Sequence, residues 1–290
     1  MKAIYIFIII FIASLLMSSC TERLDIELDE TYDRLVVEGN VMTDTMAQSF
    51  YLSKTSSYFA NEAASKITGA DFVISDDLGN SINLTEAEAG QYITPDDFFG
   101  IPGRTYQMKI NLEKEIGESK TYEASSELMA VDPIDSIGIA FNTLVGRDGF
   151  WLVKLYAQDP GGIENFYMFN VYNNGRLMTD TLDKVSFTDD RMFDGNYTYG
   201  IGVAYFRNNE DDQPFKIGDT VTLQMAGLNK NQYTYFDEVI RATSFQNPMF
   251  GGPPANVKGN ISNGAFGYFG AYSTTYSTMI IKEGDIEYIE

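Results

Sequence analysis

The 290-residue chain contains no histidine. That absence excludes Ser-His-Asp triads, histidine general bases and histidine-ligated zinc. Cysteine occurs once, at Cys20, so no disulfide can form within the chain. Basic residues are scarce as well. Twenty Lys and Arg stand against 41 Asp and Glu, for a formal net charge of −21. A chain of that sign is repelled by phosphate backbones and by anionic membrane surfaces, which argues against nucleic acid as a partner. Two nucleophile and phosphate motifs are missing too. No helix-borne Ser-Lys arrangement is present, and the glycine-rich stretch 251–264 (GGPPANVKGNISNG) lacks the Gly-Lys-Ser/Thr ending of a phosphate-binding loop. Few enzyme classes survive these absences, and the chain is expected not to be an enzyme and to need no cofactor.

Only one long apolar run exists, and it comes first. Lys2 supplies a short positive region, residues 3–17 are apolar, and Met17-Ser18-Ser19-Cys20 follows. Fifteen apolar residues are short for a bilayer span, which needs about 20. A positive start, an apolar middle and small residues before a cysteine make a bacterial lipoprotein signal. The expected chemistry is diacylation of the Cys20 sulfur, cleavage before Cys20 and acylation of the new amine. Residues 1–19 are then the signal peptide, and lipidation of Cys20 removes the one thiol from any catalytic role. Loss of Lys2 leaves the mature chain one unit more negative.

Hydrophobic residues make up 44% of the chain, with 19 Tyr and 20 Phe, which suits an ordered globular protein. Residues 20–33 are acidic and short of core residues, and read as a tether. Short alternating segments then recur about every ten residues, as at 34–41 (RLVVEGNV), 48–53, 70–75 and 105–112, with acid-rich Gly/Asn turns between them. The expected fold is all-β: an immunoglobulin-like β-sandwich over 34–131, then a second β-rich domain over 132–290 that carries one packed helix. Asp132-Pro133 marks the boundary. Strands are expected in the second domain at 136–141, 151–158, 165–172, 177–184, 197–206, 219–225 and 274–282. The helix is expected over 229–243, where Tyr233, Phe236, Val239, Ile240 and Thr243 share one face. Asn229 would be its N-cap and Gln232 the partner in a capping box.

Oxygen-rich loops are the remaining chemistry. In 189–196 (DDRMFDGN), Asp189, Asp190 and Asp194 could hold Ca²⁺, although the alternate ligands and closing Glu of an EF-hand are missing. A solvated acidic turn is the competing reading. Paired carboxylates could also hydrolyse a glycosidic bond, but one sequence does not show which acids converge. Among the aromatics, Trp151 sits in an apolar strand and is expected to be buried. Asn263, Tyr268 and Phe269, in the Gly-aromatic tail, are the candidates for contact with a partner or ligand, against a structural role closing the second sheet.

Several blocks together carry a resemblance: the lipobox, LVVEG (35–39), ISDDLGN (74–80), PGRTYQMKI (102–110), DPIDSI (132–137) and above all PPANVKGNISNGAFGYFGA (253–271). The chain resembles the domain-of-unknown-function 4249 family of Bacteroidota outer-membrane lipoproteins. The resemblance implies a lipid-anchored envelope protein, often associated with TonB-dependent outer-membrane transporters, and carries over no established activity residue by residue. The expectation is an accessory or binding component of an outer-membrane uptake or envelope complex. A carboxylate-dependent glycan hydrolase and a structural surface adhesin or scaffold are the alternatives. Thr21-Glu22-Arg23 follow the lipidated cysteine and denser acids come only at 25–30, so the periplasmic or cell-surface face stays open.

Overall fold

Alternation of apolar and polar residues puts most of this chain into strands. In β7 (Thr105–Ile116), Tyr106, Met108, Ile110 and Leu112 are buried while Gln107 and Lys109 between them are exposed. The computed structural model describes residues 33–56, 64–144, 148–208, 214–243 and 257–290. Cys20, the rest of the leader and the tether up to residue 32 lie outside the described residues.

The described strands form three sheets. The largest runs in the order β12 (Arg176–Leu177), β11 (Phe166–Asn173), β15 (Thr220–Leu228), β16 (Phe266–Ile280), β1 (Leu35–Met42), β2 (Ser49–Lys54), β6 (Gln91–Ile93) and β5 (Thr85–Glu88), with β13 (Ser186–Asp189) also on β11. A second sheet is β4 (Ser81–Asn83), β3 (Asp71–Asp76), β7 and β8 (Ser119–Glu127). The third is β14 (Ile201–Arg207), β10 (Phe150–Tyr156), β9 (Ser136–Asn142) and β17 (Ile286–Ile289).

β16 is the spine. Its first half pairs in parallel with β1, from Val36↔Phe266 to Met42↔Tyr272. Its second half pairs antiparallel with β15, from Gly227↔Ser273 to Thr220↔Ile280. One core packs Leu35, Val37, Phe50 and Leu52 against Phe72, Ile74, Met108 and Ile110. The other packs Phe169, Val171, Val221 and Leu223 against Ile139, Trp151, Val153 and Leu155. Phe269 and Ala271 belong to the first core, and Met279 packs on the second. All three are odd-numbered along β16, so the two smaller sheets cover the same face of the large one. The result is two β-sandwiches sharing a sheet, and the all-β class with one packed helix stands.

The helix, α1 (Lys230–Thr243), lies on the opposite face. There the even-numbered Tyr268 and Tyr272 join Phe166 and Met168, and α1 contributes Tyr233, Tyr235 and Phe236. Asn229 is the N-cap: its Oδ1 accepts the Gln232 N–H at 2.9 Å. The capping box does not close. Gln232 is fully buried, and its Nε2 donates to Asn40 on β1 at 3.0 Å, which ties the helix to the sheet instead.

Three expected strands differ in the structure. The one at 177–184 stops at Leu177, because a turn closed by Lys184 N–H to the Thr181 carbonyl and by the Asp180–Lys184 ion pair takes the chain round to β13. The one at 197–206 begins only at Ile201, since Tyr199 and Gly200 both have positive φ and cannot extend. The last strand starts at Phe266 rather than at 274, and β17 follows it.

The large sheet takes strands from both sides of the expected boundary at 131/132. Asp33–Glu290 form one compact unit, and the first core also takes Ile261, Ala265, Phe269 and Ala271 from the far end of the chain. β1 therefore finds a strand partner some 230 residues away, which residues 34–131 do not contain.

Candidate functional site

Two connections meet at one end of the second sandwich, 157–165 between β10 and β11 and 190–200 between β13 and β14. Both are rich in turn residues, Asp159-Pro160-Gly161-Gly162 in one and Asp194-Gly195 in the other. Their backbones touch at Gly161 and Gly195, where neither residue has a Cβ to keep them apart.

This contact brings together Asp159, Asp190 and Asp194. Each offers one carboxylate oxygen, and these oxygens all lie within 4.8 Å of one another. Asp159 and Asp190 are each 3% exposed, whereas Asp194 is at the surface. Every one of them accepts protein hydrogen bonds. Tyr167 O–H donates to Asp159 Oδ1 at 2.6 Å and Gly195 N–H to Asp159 Oδ2 at 3.1 Å. Asn165 N–H donates to Asp190 at 2.7 Å, and Gly162 N–H to Asp194 at 2.9 Å. Among the described residues no lysine or arginine forms an ion pair with any of the three.

Burial holds the Asp159 carboxyl above the ordinary carboxylate range. The Tyr167 and Gly195 hydrogen bonds oppose that shift, and the neighbouring Asp190 and Asp194 add to it. Tyr167 is driven well above the ordinary phenol value, first by burial and then by Asp159. Two like charges at this separation repel by roughly 3 kcal/mol at an effective dielectric of about 20. The cluster is therefore relieved by a proton or by a hard cation. Its all-oxygen donor set is of the kind Ca²⁺ takes, with carbonyls and water completing six to eight ligands. The Asn165 Oδ1, a buried acceptor in the same loop, has no hydrogen-bond partner.

Of the expected calcium residues, Asp190 and Asp194 are in this cluster and Asp189 is not. Asp189 turns to Arg191, 2.8 Å away, and that ion pair holds its carboxyl below the usual range. Asp159 takes its place. Sequence reasoning missed it because it lies 31 positions before Asp190 in what reads as an ordinary Asp-Pro-Gly-Gly turn, and the pairing of β11 with β13 and the Gln158–Tyr197 bridge bring the two together.

The tail residues are structural. Phe269 is 0% exposed and lies 6.2 Å from the Phe50 ring in the first core, so it has no surface to offer a partner. Tyr268 is 9% exposed and packs on Tyr235 at 4.8 Å, and burial pushes its hydroxyl up to about 12. Asn263 is exposed, but its amide donates to the Thr121 carbonyl at 2.7 Å, and its φ of 56° makes it a turn residue. The contact expectation is corrected for Phe269 and Tyr268, which the sheet itself consumes. Their neighbour Asn260 shows the same economy: its side chain both donates to Phe269 O (2.8 Å) and accepts from Phe269 N–H (3.0 Å), standing in for a strand partner. Trp151 is buried, with its indole N–H donated to Asn208 at 3.0 Å.

Among solved structures, the chain is similar to a two fibronectin type-III domain segment from chicken tenascin. The two are 13% identical, the match covers 67% of this chain and 90% of that one, and the TM-score of 0.20 is too low to carry an argument. No curated protein matches the chain. The family model "Domain of unknown function (DUF4249)" matches residues 21–278, and the chain belongs to that family.

Proposed function

We propose that this is a lipid-anchored cell-envelope protein, a binding or accessory component of an outer-membrane complex of the kind built on a TonB-dependent transporter. The observation that carries the reading is Met17-Ser18-Ser19-Cys20 behind the apolar run, with Cys20 the only thiol in the chain. An acidic, histidine-free chain suits a passive partner better than a catalyst. The carboxylate cluster supports the same view, since two of its three members are buried and closed to a substrate-sized sugar. It fits a structural role, pinning the 157–165 and 190–200 connections together.

The anchoring half of this reading has a direct test. Expressed in a lipoprotein-processing bacterium, the wild-type chain should incorporate labelled palmitate and stay with the membrane fraction. Cys20→Ala should lose both the label and the membrane, while keeping the thermal stability of the folded part. A Cys20→Ala chain that remains membrane-bound to the same extent would remove the lipid from the account.

A further inference from the structure

β14 and the connection that leads into it carry exposed tyrosines that the core does not use. Tyr199 is 81% exposed and Tyr205 is 57% exposed. Tyr197 and Tyr199 meet edge to face with ring centroids 4.9 Å apart. The Tyr156 ring lies over Gly200, the residue that follows Tyr199. A Cβ at Gly200 would stand 2.6 Å from the Tyr156 ring, and one at Gly138 would stand 3.4 Å away.

Tyr199 is held at a cost. Its φ is 48°, a left-handed conformation that a bulky side chain rarely adopts. An exposed ring in a strained backbone position gains nothing from burial that would offset the strain, and such strain is kept where a side chain has to be presented. The same Tyr156 also forms the wall of a groove of about 520 Å³, whose other walls include Met279, Ile280, Lys282 and Asp285. That volume is in the range of small-ligand sites. The Asp135 N–H donates to the Tyr156 carbonyl at 3.0 Å, which brings a further carboxylate to this end.

We propose that this groove and its tyrosine platform bind a neutral oligosaccharide, deepening the binding role given above and resting on it. Ring faces offer stacking surfaces to the C–H faces of a pyranose, while the phenol hydroxyls, Lys282 and Asp285 supply donors and acceptors for its hydroxyls. Neutrality follows from the charges. Lys154 is paired with Glu287 at 2.5 Å, and Lys282 is matched by Asp285 in the groove lining. With Asp135 also at this end, the site has no excess positive charge for an anion, and a chain of net charge −21 repels anionic glycans. A protein partner fits less well, because protein hot spots are apolar anchors in closed, dry pockets, and this lining is open and mixed.

The test is calorimetric titration of the mature chain with cellohexaose, xylohexaose and maltohexaose at millimolar concentration. At least one should bind, with a dissociation constant of about 10⁻⁴ M. Tyr199→Gly should weaken that binding at least about tenfold and leave the melting temperature unchanged or higher, since glycine accepts the left-handed φ without strain. Tyr51→Ala, which removes an exposed tyrosine of β2 elsewhere, should bind as wild type. Failure of all three sugars to bind would overturn the proposal while leaving lipid anchoring untouched. So would wild-type affinity in Tyr199→Gly. A Tyr199→Gly chain that loses affinity together with melting temperature would also overturn it, by assigning the ring a structural role.

Discussion

Replacing Gly267 with alanine is expected to destabilise the fold strongly at the joint between the two halves. Gly267 sits inside β16, opposite Val37 of β1, with a φ of 92°. A Cβ there would overlap the Val37 carbonyl oxygen, and the Val37 carbonyl carbon and amide nitrogen are also within contact range. Those atoms are ladder backbone, so they cannot rotate away as a side chain would. The left-handed φ alone costs an alanine roughly 1–2 kcal/mol. Displacing β1 adds to that, and a total above about 4 kcal/mol is expected, against a stability of about 5–15 kcal/mol for a typical protein. At roughly 2–4 °C per kcal/mol the melting temperature should fall by about 10 °C or more. Gly264→Ala is the comparison. Its φ is 71°, but the nearest atom a Cβ would meet is the Arg34 guanidinium at 3.8 Å, so only the backbone cost applies. Circular dichroism melts of the two variants separate close approach from conformational freedom. A Gly267→Ala melt within a few degrees of wild type would contradict the parallel pairing of β1 with β16.

The second large effect is expected at the carboxylate cluster. Asp159 has its carboxyl raised above the ordinary value of about 3.9. A raised value means that, between the ordinary and the shifted pKa, the folded state binds more protons than the unfolded state. Stability therefore rises as pH falls from neutrality through the raised value, and the gain levels off near the ordinary carboxylate pKa. Asp194→Asn keeps an oxygen for the Gly162 N–H and removes one charge from the cluster. Its melting temperature at neutral pH, in the presence of a chelator, should equal or exceed that of wild type, and the difference should shrink on acidification. Calcium at about 100 times its dissociation constant would add roughly 2.7 kcal/mol to wild type, or about 5–10 °C. Asp194→Asn should lose most of that calcium response. Differential scanning calorimetry at two pH values, with and without calcium, reads all four quantities. A wild-type melt indifferent to both pH and calcium would mean that the three carboxylates do not repel one another as their geometry requires.

Much of the strand pattern was legible because it is local. Alternation in 70–75 and 105–112 corresponds to β3 and β7, and the Asn229 cap of α1 is the expected one. The Gly-aromatic tail misled for a physical reason. Its glycines allow tight turns and close approach alike, and which of them does which is not local: at 267 and 270 they make room for the Val37 backbone and for the side chains of Asn40 and Gln232. Close approach leaves no periodic trace, because the atoms approached belong to other elements, those of Val37 and Asn40 being 230 positions away. The LVVEG glycine is of the same kind, since a Cβ at Gly39 would overlap the Phe50 ring. Asp159 was hidden similarly, by a cluster assembled from separate loops. The tyrosine platform was hidden by composition. With 19 tyrosines in the chain, nothing local distinguishes Tyr199, which stands out only through its φ and exposure.

The central claim is that a lipid on Cys20 places a binding protein in an outer-membrane complex. Affinity purification of the tagged, lipidated chain from native membranes in mild detergent, followed by mass spectrometry, tests it most directly. The account predicts a TonB-dependent outer-membrane transporter or another envelope protein in stable ratio with the lipidated chain, and its loss in Cys20→Ala. A lipidated chain that repeatedly purifies alone would contradict it.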